Sequence, residues 1–383
     1  MLTRMTVKNF KCFGSVTIEL GNPVVFIGPN NSGKTTALQA LALWSIGLDR
    51  WLEKKGGKRR NSERRTGVAI NRKDLIAVPV PAANLLWRDL HVREVTHSSD
   101  EKKTLKTRNI RVDIIVEGVG RNGEWKCGLE FDYANEESLY CRPLRLVEGA
   151  RPERMSIPAE AASVNVSFLP PMSGLAANER RLDPGALNVL LGEGRTAEVL
   201  RNLCFLVLFQ DGGISWEALC RKIHKLFMVE LNEPTYVAER GEVVMAYKNP
   251  NGVRLDISTS GRGLQQTLLL LAYLHLNPSS VLLLDEPDAH LEILRQREIY
   301  GLLSETAASQ GSQIVIASHS EVILNEAAGR DVVVAFVGTP HRIDDRGSQL
   351  LKSLKTIGCD QYYQAEETGW VLYLEGPTDL SIL

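Results

Sequence analysis

Hydrophobic positions change their period along the chain. Near the start they alternate, as in Val16 to Leu20, and Asn9-Phe10-Lys11-Cys12-Phe13 links that stretch to an earlier one. Two strands are predicted before the unbroken apolar run Val24 to Ile27, which is followed by a helix-like stretch from Ala37 to about Ile46. Alternation returns from Ile110 to Val116 and from Trp125 to Phe131. The turn Gly118 to Gly123 between them predicts a hairpin. Residues 146 to 185 are punctuated by Pro and Gly and read as irregular, apart from a short strand at Val164 to Leu169. Apolar residues then recur at helical spacing from Pro184 to Leu231, with Phe205, Val207, Leu208, Trp216, Leu219, Ile223, Leu226 and Phe227 as core positions. Val243 to Tyr247 and Val253 to Ile257 flank Asn249-Pro250-Asn251-Gly252, a second hairpin signal. From there to residue 338 short apolar strands alternate with helices, which is the grammar of an α/β fold.

Composition narrows the setting. A chain of 383 residues favours two or three packed units over one core. The run Thr267 to His275 is far below the ~18 apolar residues of a membrane span, so it reads as a buried helix and no membrane is expected. The opening residues lack the apolar core of a signal peptide. Cys12, Cys127, Cys141, Cys204, Cys220 and Cys359 are scattered with no metal-ligand spacing, which predicts a reduced, cytoplasmic protein. The net charge of −1 leaves nucleic-acid binding to local patches. One such patch is the run Lys54, Lys55, Lys58, Arg59 and Arg60, with Arg64 and Arg65 beyond. It reads as a solvated insertion or, more sharply, as a contact to DNA phosphates.

The chemistry concentrates in five elements. Gly28-Pro29-Asn30-Asn31-Ser32-Gly33-Lys34-Thr35-Thr36 follows the apolar run and opens a helix, which is the setting a phosphate-binding loop requires. Its backbone N–H groups would cradle phosphates, Lys34 would reach the terminal ones and the Thr35 hydroxyl would face Mg2+. Val281 to Leu284 is a strand pattern that ends in Asp285, Glu286 and Pro287. A carboxylate there, at the strand's C-terminal end, can hold the metal (Asp285), and its neighbour can activate water (Glu286). Asp288 to Glu292 follows at once; His290 within it reads as structural. Gln313 to Ser318 is another apolar strand, and it ends at His319, placed to support the transition state. Finally, Ser258-Thr259-Ser260-Gly261-Arg262-Gly263 opens a long helix, with small residues that allow close approach to a phosphate.

This order resembles the ATPase head of the ABC type, also found in chromosome-maintenance and recombination ATPases. The resemblance implies an α/β head with a mixed sheet, an additional antiparallel β lobe and an inserted helical block. It implies ATP and Mg2+ as ligands, and a homodimer or higher homo-oligomer. In such an assembly Ser260, Gly261 and Gly263 (with Ser258 as the alternative serine) would serve the nucleotide of another subunit. Asp288 to Glu292 would match the segment that crosses between subunits. Heads of this type carry a metal-sensing glutamine after an early strand, and residues 66 to 145 offer no match. The implied division is an ATPase core in residues 1–50 and 235–340, a strand-rich lobe in 51–183, a helical insertion or partner surface in 184–234, and a terminal segment in 341–383. In that last segment Val371 to Leu374 leads to Glu375, Gly376, Pro377 and Asp379, and looks like the opening of a Toprim domain with Glu375 and Asp379 as part of its metal site. Head plus Toprim start is similar to the OLD (overcoming lysogenisation defect) family of ATPase-nucleases. That family implies control of a nuclease in anti-phage defence, with DNA and a nuclease domain or separate effector protein as the partners to test. The alternatives are a recombination or repair ATPase of the RecF/SMC type, and a nucleotide-bound scaffold that holds a separate effector. No nuclease activity is expected from this chain alone.

Overall fold

The unbroken apolar runs lie side by side. In the computed structural model, which describes residues 1–55, 67–97, 105–146 and 153–343, one six-stranded sheet has the order Val166–Leu169, Val281–Asp285, Gln313–Ser318, Val24–Ile27, Val332–Ala335 and His341–Arg342. The first five strands are parallel and the last is antiparallel, so the sheet is mixed. The central strands are apolar on both sides because both faces are covered. Val25, Ile27, Leu282, Leu284, Ile314 and Ile316 point into one core. Val24, Phe26, Leu283, Val315 and Ala317, one residue out of step, point into the other. Truncating any of the Leu, Ile or Phe side chains among these to Ala would cost about 2–5 kcal/mol, since the pleat leaves no neighbour free to collapse into the gap.

The second core is closed by the long helix Lys34–Lys55 and a second six-stranded sheet. That sheet is antiparallel throughout and runs Phe13–Glu19, Leu2–Phe10, Val112–Gly120, Gly123–Asn135, Ser138–Pro143, Val68–Asn71. The helix lies between the two sheets, which explains its weak amphipathic pattern. Leu38, Leu41, Leu43, Trp44 and Leu48 are all buried although they point in different directions. It also runs past the expected end near Ile46 to Lys55. Gly123, at φ 108°, closes the hairpin after Arg121 and Asn122, in a conformation that side-chain-bearing residues avoid.

The first core is closed by helices Leu200–Gln210, Ile214–Phe227, Arg262–Leu276 and Ile293–Ser309. The expected helical block therefore packs on the helix that Arg262 begins, through Leu203, Val207, Trp216, Leu219 and Ile223. The run Val243 to Tyr247 divides. Glu242–Val244 pairs with Thr235–Val237, whereas Ala246–Lys248 pairs with Arg254–Asp256 across the Asn249 turn. Strand membership also cuts across the segments drawn from sequence. Residues 2–19 build the antiparallel sheet, and Val166–Leu169 joins the parallel one. The fold is α/β, with a mixed sheet, an additional antiparallel sheet and inserted helices, as the sequence predicts. Glu375, Asp379 and residues 58–65 of the basic run lie outside the described residues.

Candidate functional site

Parallel register brings the C-terminal ends of three central strands to one edge. Asp285 pairs with Ala317, and Ser318 with Ile27, so the Gly28 loop, Asp285–Glu286 and His319 emerge together. The loop turns through two left-handed residues, Asn31 (φ 64°) and Gly33 (φ 101°). A side chain at Gly33 would meet the Phe13 ring at 2.9 Å and the Cys12 sulfur at 3.1 Å, so the position needs glycine for space as well as for backbone. The helix starts at Lys34, and its first N–H groups face the loop without intrahelical partners. The cleft it borders is about 430 Å³ and is lined by Asn30, Asn31, Ser32, Gly33, Lys34, Thr35, Thr36, Glu286, Lys11 and Cys12.

Lys34 is buried and its ammonium donates to the carbonyls of Gly28 (2.7 Å) and Pro29 (2.8 Å). Burial lowers its pKa, opposed by the nearby Glu286, Asp285 and Asp288 carboxylates. Thr35 Oγ1 donates to Asp285 Oδ2 at 2.8 Å. The other oxygen, Asp285 Oδ1, is buried with no partner, and Ser32 Oγ is in the same condition. Burial raises the Asp285 pKa to about 6, with Glu286 and Asp288 adding to it and Thr35 and Lys34 opposing. An unpaired buried oxygen beside a hydroxyl at the mouth of a phosphate loop fits Mg2+, which takes one or two carboxylates and draws its other ligands from water and phosphates. Such a site needs no cluster of three acidic or imidazole ligands, and the described residues contain none. Thr35 and Asp285 would hold the ion, which would neutralise charge on the phosphates.

Glu286 sits in the left-handed region, at φ 48°, its N–H bonded to the Ala317 carbonyl at 2.8 Å. Strain of ~1–3 kcal/mol there is held in place by the flanking sheet, and it aims the carboxylate at the cavity. His319 Nδ1 lies 3.4 Å from Glu286 Oε1, and both side chains are partly open to solvent. Asp288 is buried, hydrogen-bonded to Ser318, and its carboxyl is raised chiefly by burial. The site thus gathers the phosphate loop, Thr35, Asp285, Glu286 and His319 in one place.

Ser260, Gly261 and Gly263 do not line this cavity. They open the helix Arg262–Leu276, behind the short 3-10 turn Ile257–Thr259. Gly261 is exposed, with open space where a side chain would be. Ser258 Oγ is committed to Asp256 Oδ1 at 2.6 Å, and Ser260 Oγ to the Ile257 carbonyl at 2.7 Å. The Asp288–Glu292 segment packs on this helix start. Leu291 lies 3.4 Å from where a Gly263 side chain would be, and Gln266 donates to the Pro287 carbonyl at 3.3 Å. Left-handed His290 is exposed within that segment.

Sequence reasoning missed Lys11 and Cys12, which lie in the turn between the first two strands and border the phosphate cavity. The signal was present: an Asn-Phe-Lys-Cys-Phe turn one strand ahead of the loop. The strands between 67 and 143 are antiparallel and end elsewhere, whereas Val281–Asp285 is flanked in parallel by Gln313–Ser318 and, on its other side, by Val166–Leu169. That strand runs into Pro170, Pro171 and Met172, so no glutamine follows it directly.

Comparison with known proteins agrees with this geometry. A family model described as "AAA ATPase domain" matches residues 1–112. A second, described as "AAA domain, putative AbiEii toxin, Type IV TA system", matches residues 208–325. The chain contains a P-loop ATPase domain that binds and hydrolyses ATP. An OLD nuclease of Thermus scotoductus is 46% identical over 43 residues, which is 11% of this chain and only 8% of that relative's length. Among solved structures, an SMC head bound to the C-terminal winged-helix domain of ScpA aligns with 15% identity and a TM-score of 0.49, over 89% of this chain and 97% of that one. The SMC head domain of Thermotoga maritima aligns with 14% identity and a TM-score of 0.44, over 89% and 98%. Likeness at that level says nothing of what this ATPase acts on. No helix among the described residues is long and apolar enough to cross a membrane.

Proposed function

We propose that this ATPase works as a pair of heads, each lending Ser260, Gly261 and Gly263 to the nucleotide held by the other's Gly28 loop. One observation carries the reading. Gly261 and Arg262 stand exposed at the small-residue helix start, with Ser260 and Gly263 half-buried beside them and all outside their own chain's cavity, although the backbone there suits a phosphate. Two ATP molecules would then join two heads, and Glu286 would accept the proton of the attacking water, ending the association. His319 would steady Glu286 and the charge that develops on the phosphoryl oxygens. The work done by such a cycle is the opening and closing of a clamp on DNA, as in recombination and chromosome-maintenance ATPases.

The test is the solution mass of the Glu286→Gln chain with and without Mg-ATP. It should be monomeric without nucleotide and dimeric with it, and ATP should then raise its affinity for DNA. A monomer at saturating Mg-ATP removes the reading. A second reading, control of an OLD-type nuclease, is favoured by the 43-residue match to the Thermus scotoductus protein. It predicts Mg2+-dependent DNA cleavage by the gene's full product, lost when Glu375 is replaced, whereas the clamp reading predicts DNA retention without cleavage.

A further inference from the structure

Behind the Ser260–Gly261 edge, where Gly261 is exposed and Ser260 half-buried, lies a buried cation that does not line the ATP cavity. Arg201 stands in the first turn of helix Leu200–Gln210 and is 1% exposed. Its guanidinium is held from behind. One arm donates to the Ala176 carbonyl at 2.9 Å, the other to the Ala177 carbonyl at 3.2 Å, and buried Glu179 lies 3.8 Å away. Glu179 is itself fixed, because it accepts from the N–H groups of Arg201 (2.8 Å) and Asn202 (2.7 Å) at the helix start. The guanidinium is therefore placed before it makes its one contact forward, to Asp256 Oδ1 at 2.9 Å. That same oxygen accepts from the N–H and the hydroxyl of Ser258, at 2.8 and 2.6 Å, and so caps the Ile257–Thr259 turn. The next two residues are Ser260 and Gly261.

We propose that Arg201 is a positioning residue for the second half of the nucleotide site: through Asp256 it sets the angle at which Ser260 and Gly261 meet the phosphates of the opposite head. This rests on the pairing of heads proposed above. The planar fork suits the task, since one rigid group spans two carbonyls and a carboxylate, which an ammonium cannot do. The helical block is then the frame of the trans-acting loop, and a shift of that helix would be passed to the partner's ATP.

The experiment uses Arg201→Met and, because Asp256 is half exposed and its replacement leaves the core intact, Asp256→Ala, which removes the shared acceptor. Both variants should bind ATP as monomers with unchanged affinity, while turnover falls about 100-fold, the loss expected from a misplacement of ~1 Å. Each should recover turnover when mixed with the Lys34→Ala chain. One site of that mixed dimer joins an intact Gly28 loop from the variant to an intact Ser260 loop from the Lys34→Ala chain. A merely damaged fold could not supply that intact loop. Wild-type turnover in the Asp256→Ala chain, or no recovery on mixing for either variant, overturns the inference. If Glu286→Gln fails to dimerise with ATP, the pairing itself is wrong, and that result is separate from either of these.

Discussion

The molecule buries acidic groups in two places and treats them in opposite ways. On the antiparallel sheet, Glu130 is 1% exposed and surrounded by arginines. Arg142 donates to it at 2.6 Å and Arg154 at 3.0 Å, with Arg145 at 3.3 Å and Arg111 at 3.8 Å. Arg111 and Arg142 also hold Asp132. Burial works to raise the Glu130 pKa, but the bonds and charges of the arginines outweigh it and the carboxyl lies below its ordinary value. At the edge of the parallel sheet, Asp285, Glu286 and Asp288 crowd around one lysine, and two buried oxygens, Asp285 Oδ1 and Asp288 Oδ1, have no partner. In the first cluster the carboxylate oxygens of Glu130 and Asp132 are all paired, and it is an arginine nitrogen, Arg145 Nε, that is buried without a hydrogen bond. The second is complete only with a ligand, and unmet need of that kind marks a functional site better than burial or charge alone.

Mutation of the incomplete cluster should alter chemistry more than stability. Glu286→Gln should lower ATP turnover by about 10²–10⁴-fold while leaving nucleotide binding, because it removes a base and keeps the shape. Single-turnover hydrolysis checks this, and unchanged rates would remove Glu286 from its role. Mutation of the arginine-paired cluster should do the reverse. Glu130→Leu would leave four arginines facing one another and should cost about 3–5 kcal/mol in a denaturant melt, with nucleotide affinity unchanged. Should Glu130→Leu melt like the wild type, the contrast between the two clusters collapses.

Asp285→Asn tests the same contrast by its sign. A carboxyl whose folded pKa is about 6 resists ionisation in the fold, so it burdens the ligand-free protein at neutral pH. The burden is absent below the ordinary pKa near 3.8, grows as pH rises and is full above about 6. Removing the charge should therefore stabilise the ligand-free protein by roughly 1–3 kcal/mol at pH 7 and add nothing at pH 4. A loss of stability at pH 7 would show that Asp285 is paired as well as Glu130 is.

Much of this was legible in the sequence. The Gly28 loop, Asp285–Glu286 and His319 each close an unbroken apolar run, and parallel strands ending in polar residues must bring those residues to one edge. What escaped depends on contacts remote in sequence. Lys11 and Cys12 reach the cavity only because the first two strands join a different sheet from the third. Val166–Leu169 is four residues in an irregular region, and nothing local says it pairs with Val281–Asp285 over 100 residues later. Glu130 reads as one polar position in an alternating strand, and its arginines come from four separate places.

The finest test is of pH. To hold Mg2+, Asp285 must give up its proton, so metal-assisted binding has to supply the cost of ionising it below pH 6. Bare ATP makes the opposite demand, since a neutral Asp285 repels its phosphates less. The ratio of Mg-ATP affinity to metal-free ATP affinity should thus shrink by about tenfold for each unit of pH below 6. Glu130, whose carboxyl its arginines hold below the ordinary value against the opposing effect of burial, lies outside the nucleotide cavity. Titration of a fluorescent ATP analogue between pH 7 and pH 5, with saturating Mg2+ or with chelator, reads the ratio directly. A constant ratio would mean that the unpaired Asp285 oxygen is not where the metal binds, and the two buried clusters would then differ in degree and not in kind.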